Sequence, residues 1–245
     1  MEIFNKSPKN RVKTLVEEFL KKKEAKTIEE RLEKEYPDSL ILKYGKNLPN
    51  PKKLVKTKEE ENLFPSAEKY DIGEGINVFV EKTSKKRRVQ LSVEDVQKAL
   101  AYVPLTHLKT ENLTLLKIVS KNIFSDEDEE NLMGRNVLGA YDDNNAIVIV
   151  YSFTSLTFEI TIEKPKIKKM LQNTVRHEIG HHFYTQFFQK NYDITVKEEW
   201  KKMIKGLDEE EEFAKTYAEF WHPERRKKMK KKSTKKYEFM KKLFL

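Results

Sequence analysis

The chain has no cysteine. That absence excludes a disulfide scaffold and any thiolate-ligated metal site, and it leaves imidazoles and carboxylates as the only strong ligands for a transition metal. No stretch approaches the roughly 18 consecutive apolar residues of a membrane-spanning helix. Residues 1–23 mix charges every few positions, where a secretory signal would need an apolar core. The expectation is a soluble, cytoplasmic protein with no membrane partner, and a phage or other viral source fits it as well as a cellular one. Histidine is also sparse, with five in 245 residues, yet His177, His181 and His182 fall within one six-residue stretch.

His177-Glu178-Ile179-Gly180-His181 is an HExxH pattern. A helix turns once in about 3.6 residues, so imidazoles four apart project from one face and can grip one ion, with the intervening carboxylate beside them. This spacing is the signature of zinc hydrolases, with His177 and His181 as ligands and Glu178 as general base towards a metal-activated water. The plainer alternative is a polar helix face whose imidazoles share a spacing by coincidence. His182 lies about 100° around the helix from His181, and is expected either behind the ligands or facing solvent. A tetrahedral catalytic zinc, one Zn2+ per chain, needs a third protein ligand and leaves its fourth position to water. Residues 209–221 supply the best candidate stretch, reading as a helix with Phe213, Ala214, Tyr217, Ala218 and Trp221 on one packing face. Its alanines would let two helices approach closely. Asp208 followed by Glu211 also fits a capping box, a purely structural use of that glutamate.

With 245 residues and 38% hydrophobic content the chain can bury a core. Val12, Leu15, Val16, Phe19 and Leu20 recur at helical spacing, and Ile28, Leu32 and Tyr36 continue a stripe to the break at Pro37. Residues 45–71 lose periodicity around Gly45, Pro49, Pro51 and Pro65 and read as a linker or a long surface connection. The division expected is 1–75, a charged, mainly helical amino-terminal region and linker, and 76–245, a catalytic domain with a basic tail. Within the latter, 76–81 and 88–91 read as strands about a turn at 84–86, and Ser92 can cap a helix running to about Tyr102. Strands are expected at 113–120, 146–151 and 156–162, with a tight turn at 142–145. The acidic run 126–130 lacks the glycine turn and spaced ligands of a calcium loop and reads as a solvated loop. Pro165 suits a helix start, and Ile167, Leu171, Val175, Ile179, Phe183 and Phe187 give that helix an inward stripe. The fold class expected is α+β: a small mixed sheet packed on an active-site helix, then a glutamate-bearing helix, with a helical amino-terminal extension.

HEIGH followed by Glu211-Glu212-Phe213-Ala214 and by the aromatic tail Lys235-Lys236-Tyr237-Glu238-Phe239 resembles the gluzincin class of zinc metallopeptidases. The tail is similar to the catalytic domain of anthrax lethal factor and its relatives, including proline-specific clostridial peptidases. Ala214-Lys215-Thr216-Tyr217-Ala218 with Pro223 also resembles intracellular metallopeptidases that act on phage repressors and in radiation response. The likeness covers the order of elements over roughly residues 90–245, with about twenty positions carrying recognisable motif. It implies a zincin-like fold, hydrolysis of peptide bonds, and a metal-ligating glutamate at Glu211, with Glu210, Glu212 and Glu219 as alternatives. Lethal-factor relatives carry an oxyanion-stabilising tyrosine seven residues before the ligand glutamate; here that position is Ile204. Tyr192, Tyr184 or Tyr217 would have to substitute. A protein or peptide substrate would add as a strand along a sheet edge, expected at 156–162.

Residues 222–245 hold eleven lysines or arginines against Glu224 and Glu238, which accounts for the whole net charge of +9. The tail, 225–242, reads either as an electrostatic footprint for nucleic acid or an acidic partner, or as a solvated helix face. In its run 225–232 lysine dominates and no aromatic interleaves for base stacking, as the second reading would have it. Two further classes therefore stand beside the endopeptidase: a viral or mobile-element structural protein with a non-catalytic zinc site, and a nucleic-acid-associated protein working through its tail.

Overall fold

A computed structural model describes residues 24, 26–81, 88–108, 115–119, 138–144, 147–151, 153–154, 163–185, 188 and 194–245. The stripe at Val12 to Leu20, the acidic run 126–130 and the strand expected at 156–162 lie outside them. The fold is mixed α+β. After a helical stretch over 26–35 come α1 (Leu40–Tyr44), β1 (Lys52–Leu54), α2 (Lys58–Leu63), β2 (Ala67–Asp71), β3 (Asn77–Glu81) and β4 (Arg88–Val89). Helices α3 (Val93–Leu100) and α4 (Leu105–Leu108) precede β5 (Leu115–Val119), β6 (Gly139–Asp142), β7 (Ile147–Tyr151) and β8 (Phe153–Thr154). The chain ends in α5 (Lys164–Tyr184), α6 (Ile194–Ile204), α7 (Glu209–Phe220), α8 (Pro223–Lys232) and α9 (Thr234–Phe244).

Six strands form one mixed sheet in the order β1-β2-β3-β5-β7-β6, with parallel pairing at β3/β5 and β5/β7 and antiparallel pairing elsewhere. The β-branched runs of β3 and β7 bury both faces, as period-two alternation requires. Val78, Val80, Val148 and Val150 enter the main core, while Phe79 and Ile147 join Phe64 and Ala67 in a small cluster. β4 and β8 pair separately. The segments 76–81 and 88–91 therefore do not form a hairpin with each other.

The linker expected at 45–71 is corrected by the structure. Two of its segments are strands, and β2 pairs along its whole length with β3. A boundary at residue 75 would cut between hydrogen-bonded neighbours. Charged residues hid the strands, because β1 is wholly exposed and β2 only half-buried. The amino-terminal segment also belongs to the main core: Tyr36, Leu40 and Ile41 are buried with Trp221, and the Arg226 guanidinium donates to the Glu35 carbonyl. Ile28, by contrast, is 59% exposed.

Helix α3 starts as its sequence indicates, with a reciprocal capping box between Ser92 and Asp95. In α5, Ile167, Leu171, Val175, Ile179 and Phe183 are buried, fixing the helix against sheet and neighbouring helices. Its closest partner is α7, and the contact depends on small residues. A Cβ at Gly180 would lie 2.6 Å from the Ala214 Cα and 3.0 Å from its carbonyl oxygen. Both obstacles are backbone and cannot rotate away. Gly180→Ala is expected to lower stability by roughly 1–3 kcal/mol, the range of overpacking, read as a lower urea midpoint at unchanged slope. Among the described residues no helix is long and apolar enough to cross a membrane.

Candidate metal centre

One helix and the start of another build the centre. His177 and His181 stand four residues apart on α5, and their Nε2 atoms lie 3.1 Å from each other. The Oε2 of Glu211, in the first turn of α7, lies 3.3 Å from the His177 Nε2 and 3.5 Å from the His181 Nε2. Zinc–ligand bonds of about 2.0–2.1 Å in tetrahedral array put ligand atoms roughly 3.3 Å apart. The three atoms thus occupy one face of such a tetrahedron, and the group can hold a metal ion. Asp208 caps α7 by accepting from the Glu211 backbone N–H at 3.0 Å. The Glu211 carboxylate, which a capping box would turn back on Asp208, faces the imidazoles instead.

Neighbouring side chains orient these ligands. The Glu210 Oε1 lies 2.9 Å from the His181 Nδ1, so this ring nitrogen donates its proton there and Nε2 is left with its lone pair directed at the shared point. The second oxygen of Glu211 faces Lys215, whose Nζ is 3.3 Å away, which leaves Oε2 alone for the metal. Of the other glutamates considered, Glu212 pairs with Lys236 and Glu219 is exposed. Glu210 thus has an orienting place, which four successive glutamates in the sequence could not single out. Glu210→Ala is expected to weaken zinc affinity by about 10–100-fold, the usual effect of removing a partner behind a ligand, measured by competition with a chromogenic chelator.

Glu178 lines the same cavity, lies against β6 of the sheet, and is 5% exposed. Burial pushes its carboxyl up to about 7, with the His181 charge opposing and the Glu211 charge adding. Burial lowers His177. Burial acts on His181 in the same sense, but its hydrogen bond to Glu210 and the charges of Glu178, Glu210 and Glu211 raise it overall. β6 closes over Glu178. A Cβ at Gly139 would lie 2.8 Å from the Glu178 Oε1 and 2.6 Å from the Thr174 Cγ2, so only glycine lets the strand come this near. Leu138 to Tyr141, α5 and the Glu210, Glu211 and Lys215 side chains line an open cavity of about 710 Å³ at the centre. β6 has little β-branched content and was not legible as a strand, although it is the sheet edge beside the site.

His182 is fully buried, its Nδ1 2.8 Å from the Tyr141 hydroxyl, so it lies behind the ligands rather than in solvent. The tyrosines considered for the oxyanion are placed elsewhere. Tyr217 is fully buried, its hydroxyl 2.9 Å from the Nδ1 of His107, a ring that burial depresses to about 3 and so keeps neutral. The Tyr184 hydroxyl donates to Glu209 at 3.1 Å. Neither lines the cavity, and Tyr192 lies outside the described residues. The donors that do line it are on Tyr141, Asn173 and Lys215. Comparison of the chain with protein-family models, with characterised proteins and with solved structures finds no match.

Proposed function

We propose that the chain is a zinc-dependent endopeptidase of zincin-like, gluzincin type. The observation that carries this reading is the convergence of His177 Nε2, His181 Nε2 and Glu211 Oε2 at tetrahedral spacing beside the buried carboxyl of Glu178. That donor set, two imidazoles and a carboxylate, suits zinc, which when bound would polarise a scissile carbonyl and acidify a water ligand. Glu178 is the base: its carboxylate accepts the proton of the attacking water as the O–C bond forms. It then returns that proton to the departing amine as the C–N bond breaks. The close approach of β6 at Gly139 holds that carboxylate in place. The substrate chain lies along β6, whose outer edge has no strand partner among the described residues, extending the sheet by one strand over the cavity. Lys215 and Asn173, which line the cavity, are the donors proposed for the oxyanion.

The test is elemental analysis of the purified protein, followed by cleavage of a diverse peptide library before and after chelation. About one zinc per chain, with hydrolysis that stops on chelation and returns with zinc, supports the reading. Zinc without hydrolysis of any peptide would favour a non-catalytic centre, and a protein that takes up no zinc would sink both.

A further inference from the structure

We propose that the outward faces of α8 and the first turn of α9 form a binding surface for the phosphate backbone of a nucleic acid, separate from the metal centre. The two helices are firmly seated. α8 buries Arg226 and Met229, and α9 buries Tyr237, Phe239 and Met240. The Arg226 guanidinium lies 4.1 Å from the centre of the Phe220 ring and 4.9 Å from that of Tyr36. Opposite this buried side, Lys227, Lys228 and Lys231 share the exposed face of α8, followed by Lys232 and by Lys235 in α9.

Clustering of unpaired charge sets these lysines apart. Elsewhere many lysines are paired, as Lys69 is with Glu60, Lys168 with Asp95 and, in α9 itself, Lys236 with Glu212 and Lys242 with Glu199, while others such as Lys46, Lys52, Lys58 and Lys164 stand singly on separate stretches of the chain. Among the described residues, Lys227, Lys228, Lys231, Lys232 and Lys235 have no acidic group within 4.0 Å. Folding accounts for only part of the pattern. Lysines in the last turn of α8 suit the negative end of its dipole, but Lys235 stands in the first turn of α9, where the dipole disfavours a cation. Lys227 with Lys231, and Lys228 with Lys232, are like charges at four-residue spacing, which repel. A surface that opposes helix stability in this way is explained by a polyanion that relieves it.

The chemistry favours nucleic acid over a membrane. A helix lying on a bilayer needs an apolar face to enter the headgroup layer, and here the apolar faces of both helices are spent in the core. Ammonium groups serve as point charges for phosphate. Tyr237 and Phe239 are buried and cannot stack on bases, so recognition is of backbone rather than sequence.

Fluorescence anisotropy of a labelled 20-base-pair duplex of arbitrary sequence, with the full chain at several salt concentrations, tests this. The logarithm of affinity should fall against the logarithm of salt with a slope of about −0.9 per phosphate contacted, roughly −3.6 for four. The variant Lys227→Gln/Lys228→Gln/Lys231→Gln/Lys235→Gln should bind at least tenfold more weakly, with a slope near zero and unchanged circular dichroism. The same number of exposed lysines changed elsewhere, at Lys46, Lys52, Lys58 and Lys164, should leave binding intact. Wild-type protein that binds no duplex at low salt overturns the proposal, as does equal weakening by the two quadruple variants. Tighter binding to phosphatidylserine vesicles than to duplex overturns it in favour of a membrane. None of these readouts depends on peptide hydrolysis.

Discussion

Glu178→Gln is expected to lower peptide turnover by about 10²- to 10⁴-fold, the usual contribution of a positioned acid–base group, while the zinc content stays that of the wild type. The substitution isolates proton transfer because it changes little else. Glutamine has the same shape, so it keeps its place against β6 at Gly139. Glu178 is not among the three grouped ligands, whose atoms come from His177, His181 and Glu211. An amide cannot accept the proton of the attacking water, so substrate should still bind and KM should move far less than kcat. A Glu178→Gln protein that cleaves as fast as the wild type would remove Glu178 from the role of base. One that loses zinc would show instead that the carboxylate supports the ligands.

What the sequence disclosed and what it hid follow from the range of the interactions involved. The histidine pair was legible because its geometry is local, set by the pitch of one helix whose apolar stripe from Ile167 to Phe183 is equally plain. The strands of β7 and most of β3 were legible because β-branched residues crowd them. β6 was not. Gly139-Ala140-Tyr141-Asp142 carries no strand pattern, and its place follows from pairing with β7 and from the space that Gly139 leaves against Glu178. β1 and β2 read as a linker because most of their side chains meet solvent at least in part, and the polar pattern of such a strand matches that of a loop. The roles within Glu209 to Glu212 were hidden for a related reason. All four suit the positive end of a helix dipole, and only the approach of α7 to α5 through Gly180 and Ala214 decides which of them meets an imidazole.

That last point yields the sharpest discrimination among the glutamates. Glu211→Ala is expected to weaken zinc binding by more than the roughly 100-fold upper limit for a partner behind a ligand, and so by more than Glu210→Ala. The helix start should survive, since Asp208 accepts from the backbone N–H of residue 211, which alanine retains. Lys215 would lose its carboxylate partner at an exposed position, a minor matter for stability. Glu210 cannot take over the vacant place while it holds the His181 Nδ1, because the two nitrogens of an imidazole point in different directions and the metal belongs to Nε2. Moving it to the metal would release the ring it orients. Glu212 is held by Lys236 on α9. Chelator competition across Glu210→Ala, Glu211→Ala and Glu212→Ala should therefore give a moderate loss, a severe loss and almost none. If Glu211→Ala instead holds zinc as tightly as the wild type, the third ligand is another residue and the tetrahedral spacing at Glu211 is a coincidence of the capped helix.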